Sequence, residues 1–278
     1  VNWSVIDDVI KNALLEDIPV EDITTVNTIN KDSISTVDLI SKEDGIIAGL
    51  EVFGHVFVLL GNVCSEFYVN DGTQVVKGQL IGRIKGNTRN ILSGERTALN
   101  FLQRMSGIAT LTRRYVQELE GTGARLLDTR KTTPNLRLLE KYAVKVGGGY
   151  NHRYSLSDGI MLKDNHISAA GGIKNAVDSV RDNSSFVRKI EVETETIEQV
   201  YEALEAKADI IMLDNMNIET MKKAVKIINK KALTEASGNI TLENIKKVAA
   251  TGVDYISVGA ITHSYKILDL SIKNLLNI

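Results

Sequence analysis

A single cysteine, Cys64, stands among 278 residues, so no intrachain disulfide can form and no thiolate cluster can hold zinc. A lone thiol suits a reducing cytoplasm and is expected to be buried and inert. A charge excess of one sign is missing too. The 33 Lys and Arg residues nearly balance 35 Asp and Glu, for a net charge of −2, and nothing in that balance attracts a polyanion such as nucleic acid. Any anion site must therefore be local. Long apolar runs are also absent, since stretches such as 56–60 fall far short of the ~18 residues needed to span a bilayer. Val1 to Lys11 carries Asp7 and Asp8 where a secretory signal has a basic region and an apolar core. The expected setting is cytoplasmic, with no membrane partner. Neither a Walker loop nor a Gly-x-Gly-x-x-Gly fingerprint occurs, which argues against ordinary nucleotide or dinucleotide binding.

What is present has a globular composition, 43% hydrophobic and 24% charged. At roughly 150 residues per domain, the length allows one large domain or two modest ones. Trp3, Ile6, Val9, Ile10, Ala13 and Leu14 recur at three- and four-residue steps, the apolar stripe of a helix with Asp7 and Asp8 on its other face. From Ile34 to Ile84 short β-rich runs at 37–41 and 64–69 surround a helical piece near 51–60, an α+β pattern. The turn-rich stretch around Asn70-Asp71-Gly72 and Lys77-Gly78 looks like a biotinyl or lipoyl hairpin. Lys77 lacks an acceptor's flanking methionines, so the stretch is read as scaffold. Residues 93–119 read as a helix interrupted at Gly107.

Beyond Gly121 a rhythm begins. Short apolar runs appear at 125–127, 159–162, 189–192, 209–213, 232–234 and 255–258, and helical segments near 197–206, 218–229 and 242–250 separate the last four. Alternating strand and helix at that interval means parallel βα units with right-handed crossovers. A full eight-fold barrel typically needs ~250 residues, more than this region offers, so an incomplete parallel α/β barrel is expected, with a doubly wound sheet as the other possibility. The division is an N-terminal α+β domain at 1–103, a catalytic barrel at 104–264, and a C-terminal helix at 265–278 packing back on the N-terminal domain.

Polar residues cluster where the apolar runs stop: Asp128-Thr129-Arg130-Lys131, Lys163-Asp164-Asn165-His166, Glu191-Val192-Glu193, Asp214-Asn215, Glu235-Ala236-Ser237-Gly238 and Gly259-Ala260. In parallel α/β architectures the C-terminal strand ends share one crevice, where reacting groups gather. Any one cluster alone could be a helix cap or a surface ion pair; together they read as a site. Arg130, Lys131, His152, Arg153 and Lys163 outnumber Glu193 and Asp214, so the ligand should be strongly anionic. Arginine holds carboxylate or phosphate through a planar fork and lysine acts as a point charge, a mixture that suits a ligand with both groups. Ser237-Gly238-Asn239 and Gly259 close the last two βα loops, where barrels often seat a phosphate on backbone N–H groups.

These residues resemble a known family. Asp128-Thr129-Arg130-Lys131-Thr132-Thr133-Pro134, the run from Lys141 through Gly147-Gly148-Gly149-Tyr150-Asn151-His152-Arg153, and Leu162-Lys163-Asp164-Asn165-His166 are similar to quinolinate phosphoribosyltransferases. Glu95-Arg96-Thr97, Leu213-Asp214-Asn215, Glu235-Ala236-Ser237-Gly238 and Val258 to Ser264 match in the same order. The resemblance implies an N-terminal α/β domain, an incomplete barrel, and a homodimer in which Arg96 reaches the partner's site. It implies the reaction of quinolinate with phosphoribosyl pyrophosphate to nicotinate mononucleotide, pyrophosphate and carbon dioxide, a step of de novo NAD biosynthesis, with magnesium and no organic cofactor. Arg130, His152, Arg153 and the partner's Arg96 would hold the two carboxylates. Lys131 and Lys163 would face pyrophosphate or a carboxylate, Glu193 and Asp214 the ribosyl cation, ribose hydroxyls or magnesium, and Ser237, Gly238, Asn239 and Gly259 a phosphate. One departure is Asn239, where many members have Gly. Other readings are a phosphoribosyltransferase for another pyridine acid, a Schiff-base aldolase using Lys163, and a non-catalytic ligand-binding scaffold.

Overall fold

The computed structural model describes residues 3–278, in two compact units. One takes residues up to Arg113 together with Thr133–Gly147 and Tyr265–Ile278; the other takes Arg114–Thr132 and Gly148–Ser264. The chain begins with α1 (Trp3–Asp17), α2 (Ile23–Thr28), β1 (Ile34–Ser41), β2 (Gly45–Ile46), α3 (Leu50–Leu60), β3 (Val63–Phe67), β4 (Gln74–Val75) and β5 (Leu80–Asn87). Then come α4 (Thr88–Glu118), β6 (Arg125–Leu127), α5 (Arg137–Val146), β7 (Ile160–Leu162), α6 (Asp164–Ala170), α7 (Ile173–Asn183) and β8 (Ile190–Thr194). The last are α8 (Ile197–Glu205), β9 (Ile210–Asp214), α9 (Ile218–Ile228), β10 (Leu233–Ser237), α10 (Ile245–Ala249), β11 (Tyr255–Ser257), α11 (Ala260–His263) and β12 (Leu270–Asn277).

The first unit is built on an antiparallel sheet in the order β12-β1-β5-β3. Along β1 the burial alternates, with Ser35, Val37, Leu39 and Ser41 inside, the period of a strand with one buried face. Phe53 and Phe57 of α3 are fully buried and pack edge to face at 5.3 Å. On α1 the apolar stripe sinks Ile6 and Ile10. Asp7 pairs with His55 Nε2 on α3 at 2.6 Å, so the opposite face of this helix is not wholly solvated.

Three expectations change here. Residues 265–278 hold a strand, β12, rather than a helix, because β1 offers an open edge that Leu270 and Ile272 reach with their side chains inside. Cys64 is exposed on β3, its thiol directed at the Lys85 carbonyl at 3.3 Å. The boundary after 103 moves to 113, because α4 runs unbroken through Gly107. A Cβ at 107 would lie 2.3 Å from the Lys266 carbonyl oxygen, so glycine there permits close approach and does not end the helix. The segment 133–147 also joins the first unit, where buried Glu140 binds Arg104.

In the second unit six parallel strands follow the order β6-β11-β10-β9-β8-β7. Each of β7 to β10 lies beside its successor, and β6, first of the set in the chain, pairs with β11, the last. That order is a barrel opened between β6 and β7, not a doubly wound sheet with a reversal in its middle. Val192, Ile211, Leu213, Ala236 and Ile256 form a fully buried layer on one face of the sheet. Parallel strand ends then share a single edge, which carries the site.

Candidate active site

One cavity of about 810 Å³ opens at that edge, lined by Arg130, Lys131, His152, Arg153 and Lys163. Its size is typical of a small-molecule site. Glu193 and Asp214 line it, as do Ser237, Gly238, Asn239 and Gly259. Arg96, the remaining expected site residue, is exposed on α4 in the first unit and is not among the lining residues.

Local bonding explains why each side chain stands where it does. Beyond β6, the wholly buried Asp128 accepts the His152 N–H at 2.8 Å and the Asn151 amide at 2.6 Å, tying the two basic segments together. The Lys131 N–H donates to Thr129 Oγ1 at 3.0 Å, and the Lys131 carbonyl accepts from Thr262 Oγ1 at 2.8 Å. Beyond β7, the Lys163 N–H donates to His166 Nδ1 at 3.1 Å, while Lys163 Nζ donates to Glu193 Oε2 at 2.6 Å. His166 thus shapes the turn and is absent from the cavity wall. Arg153 donates to the Gly159 carbonyl at 2.9 Å. Burial first, then repulsion from Arg130, lowers the Arg153 guanidinium from its ordinary value, so an anion between the two arginines would relieve both.

The loop after β10 turns through the left-handed region. Gly238 has φ +92°, and a Cβ there would lie 2.2 Å from Asn215 Oδ1, so both conformation and space require glycine. Asn239 follows at φ +51°, a region asparagine tolerates better than most residues. Its side chain donates to Asn215 Oδ1 at 3.1 Å, and its carbonyl accepts from Asn244 at 2.9 Å. The departure from glycine therefore keeps the backbone turn.

Two acids of the strand-end clusters had been given no role. Glu191 and Glu235, only 3% and 2% exposed, meet His152 Nε2 through their Oε2 atoms at 3.1 and 3.4 Å, and Glu235 is also part of the cavity wall. Burial opposes the charge of His152, but the hydrogen bonds and charges of the two glutamates outweigh it and push the imidazole up to about 10. A signal was available: in a strand, residues two apart share a face, so Glu191 points with Glu193 and Glu235 with Ser237. His263, Met161 and Met212 also line the cavity without having been singled out.

Strand ends of an open parallel barrel that gather this much positive charge define an enzyme of polyanionic substrates. Residues 22–106 match the N-terminal domain of quinolinate phosphoribosyl transferase, and residues 108–273 match its C-terminal domain. This chain belongs to the quinolinate phosphoribosyltransferase family. The probable nicotinate-nucleotide pyrophosphorylase (carboxylating) of Bacillus subtilis is 47% identical over 258 residues, 92% of this chain and 89% of that one. A mitochondrial quinolinate phosphoribosyltransferase (decarboxylating) of Nicotiana tabacum is 46% identical, over 96% of this chain and 81% of its own. Among solved structures, NadC from Streptococcus pyogenes has a TM-score of 0.95 at 46% identity, covering 98% of this chain and 97% of that chain.

Proposed function

We propose that this crevice transfers a phosphoribosyl group from phosphoribosyl pyrophosphate to quinolinate, releasing pyrophosphate and carbon dioxide and leaving nicotinate mononucleotide for NAD biosynthesis. The observation that carries the reading is the convergence of Arg130, Lys131, His152, Arg153 and Lys163 with Glu193 and Asp214 on one cavity. Quinolinate has two adjacent carboxylates, which Arg130, His152 and Arg153 hold by charge-assisted hydrogen bonds. Lys131 and Lys163 meet the pyrophosphate or the nearer carboxylate. Backbone N–H groups of Ser237, Gly238, Asn239 and Gly259 hold the remaining phosphate.

Loss of pyrophosphate leaves positive charge on the ribose, as in glycoside cleavage. Glu193 and Asp214 stabilise that charge. Their carboxylates are also the oxygen donors magnesium prefers, since that ion uses one or two carboxylates together with substrate phosphates and waters. When bound, it neutralises charge on the departing pyrophosphate. Glu193 is engaged by the Lys163 ammonium, whereas Asp214 Oδ2 accepts only a neutral amide bond from Asn215 at 2.7 Å, so Asp214 is the acid whose charge no ion pair among the described residues offsets. That same ion pair speaks against a Schiff-base aldolase, which needs an uncommitted amine at Lys163. No organic cofactor is required, because the ring nitrogen, once glycosylated, makes the pyridinium an acceptor for the electrons that decarboxylation releases.

Arg96 completes the quinolinate subsite from the partner subunit of a homodimer, and the setting is the cytoplasm. Among the described residues, no helix is long and apolar enough to cross a membrane. The test is an assay for nicotinate mononucleotide and carbon dioxide with quinolinate or with nicotinate as acceptor. Product from quinolinate alone supports the reading; product from nicotinate, or none from quinolinate, overturns it.

A further inference from the structure

Glu235 lines the crevice and Glu191 does not, and neither is among the carboxylates assigned to the reaction. Glu191 projects from β8 and Glu235 from β10, on either side of β9, and each is almost wholly buried. Each directs Oε2 at the same nitrogen, His152 Nε2, at 3.1 and 3.4 Å. In each, Oε1 is buried without a hydrogen-bond partner. Two buried carboxylates side by side repel one another and lose their hydration; burial first pushes the Glu191 carboxyl up, the hydrogen bond from His152 pulls it down, and a cation between the two acids compensates their charge. The ring of His152 lies within reach of both.

The ring is constrained elsewhere as well. The His152 N–H is held by Asp128, and the N–H of Arg153 lies 2.7 Å from His152 Nδ1. With Nε2 committed downward, the ring cannot swing to present that nitrogen to a ligand. It meets the crevice, which it lines, with its remaining edge.

We propose that Glu191 and Glu235 are positioning residues for the quinolinate subsite, jointly taking the Nε2 proton of His152, fixing the ring and supplying its counter-charge. The inference rests on the reading of His152 as a quinolinate-binding residue. The imidazole held up to about 10 agrees with it. Among the charged and titratable groups around that ring are Glu191, Glu235, Asp128 through the backbone, and Arg153 beside it. The Arg153 N–H donates to Nδ1, so a second proton on the ring requires that contact to open and frees Nδ1–H to face the crevice, a change the charge of the two carboxylates favours. A cationic ring gives a substrate carboxylate a charge to bind in a pocket where Arg130 and Arg153 already crowd each other.

A thermodynamic cycle tests this. Quinolinate and phosphoribosyl pyrophosphate KM values and kcat are measured for the unaltered enzyme, for His152→Ala, for Glu191→Gln with Glu235→Gln, and for all three together. Glutamine keeps the shape and an acceptor oxygen but removes the charge. If the glutamates act through His152, the double variant raises quinolinate KM about tenfold with the other KM little changed, and adds nothing on top of His152→Ala. The ¹⁵N resonances of the His152 ring at pH 8 supply a readout that a merely structural role would not move. They should report a doubly protonated ring in the unaltered enzyme and a neutral one in the double variant. Unchanged quinolinate KM in the double variant, an additive loss in the triple variant, or unmoved resonances would overturn the inference while leaving the site reading intact. Unchanged quinolinate KM in His152→Ala overturns the site reading and takes this inference with it. Should the double variant not fold, Glu191→Gln and Glu235→Gln are made singly, each expected to raise quinolinate KM and to be silent in the His152→Ala background.

Discussion

Glu140 on α5 has a fully buried side chain, and its Oε1 takes hydrogen bonds from Arg104 at 2.6 and 3.0 Å, while Oε2 accepts the Thr133 N–H at 3.1 Å. Arg104 in turn lies over the Tyr265 ring at 5.2 Å. Removing one charge of such a pair strands the other, so Glu140→Gln should cost roughly 3–5 kcal/mol, read as a lower urea midpoint at unchanged slope. His152 gives a pH signature of opposite origin. Its folded pKa of about 10 exceeds the ordinary 6.5, so the stability it contributes is full below pH 6.5 and fades as pH rises through 10. Thermal melting of the unaltered protein and of His152→Ala should therefore differ most near pH 6 and converge toward pH 10. At this scale the basic and acidic residues of the site were legible, because each sits where an apolar run stops. Glu191 and Glu235 were legible only as members of the strand-end clusters, without a role, because nothing in their spacing shows that both meet His152; the two-residue alternation sets them on the same face as Glu193 and Ser237.

Helix α4 shows how an element can defy its local preference. Glycine inside a helix costs about 1 kcal/mol relative to alanine, so Gly107 reads as a break. Packing overrides propensity here, since the Lys266 carbonyl needs the space a Cβ would fill. Gly107→Ala should accordingly lower the melting temperature although alanine is the better helix former; a higher melting temperature would mean that propensity governs this position. The strands of the barrel were legible from their spacing, and each lies within a few residues of its expected place. β12 was not. Leu268, Ile272, Leu275 and Leu276 fall at helical steps, and the strand alternation is broken where the register with β1 shifts and Asn274 takes φ +58°. Only the partner strand, distant in sequence, decides the matter.

At the scale of the molecule, the proposed homodimer with shared sites makes a sharp demand on mixtures. Arg96→Ala subunits and Lys163→Ala subunits, each inactive alone, should regain activity when exchanged, because one crevice per mixed dimer is then built from two unaltered contributions. Exchange shown by mass spectrometry without regained turnover would confine Arg96 to its own chain. The first unit carries another consequence, this time in the order of synthesis. β1 pairs with β12, and the hydrogen bond between Ser35 and Asn277 spans 242 residues of chain. On a ribosome, β1, β3 and β5 emerge long before the strand that completes their sheet exists, while every strand of the barrel is already made. The part of the protein that is translated first is thus finished last. Throughout that interval β1 is an unprotected edge, and neighbouring nascent chains on one messenger have their best opportunity to pair with each other instead.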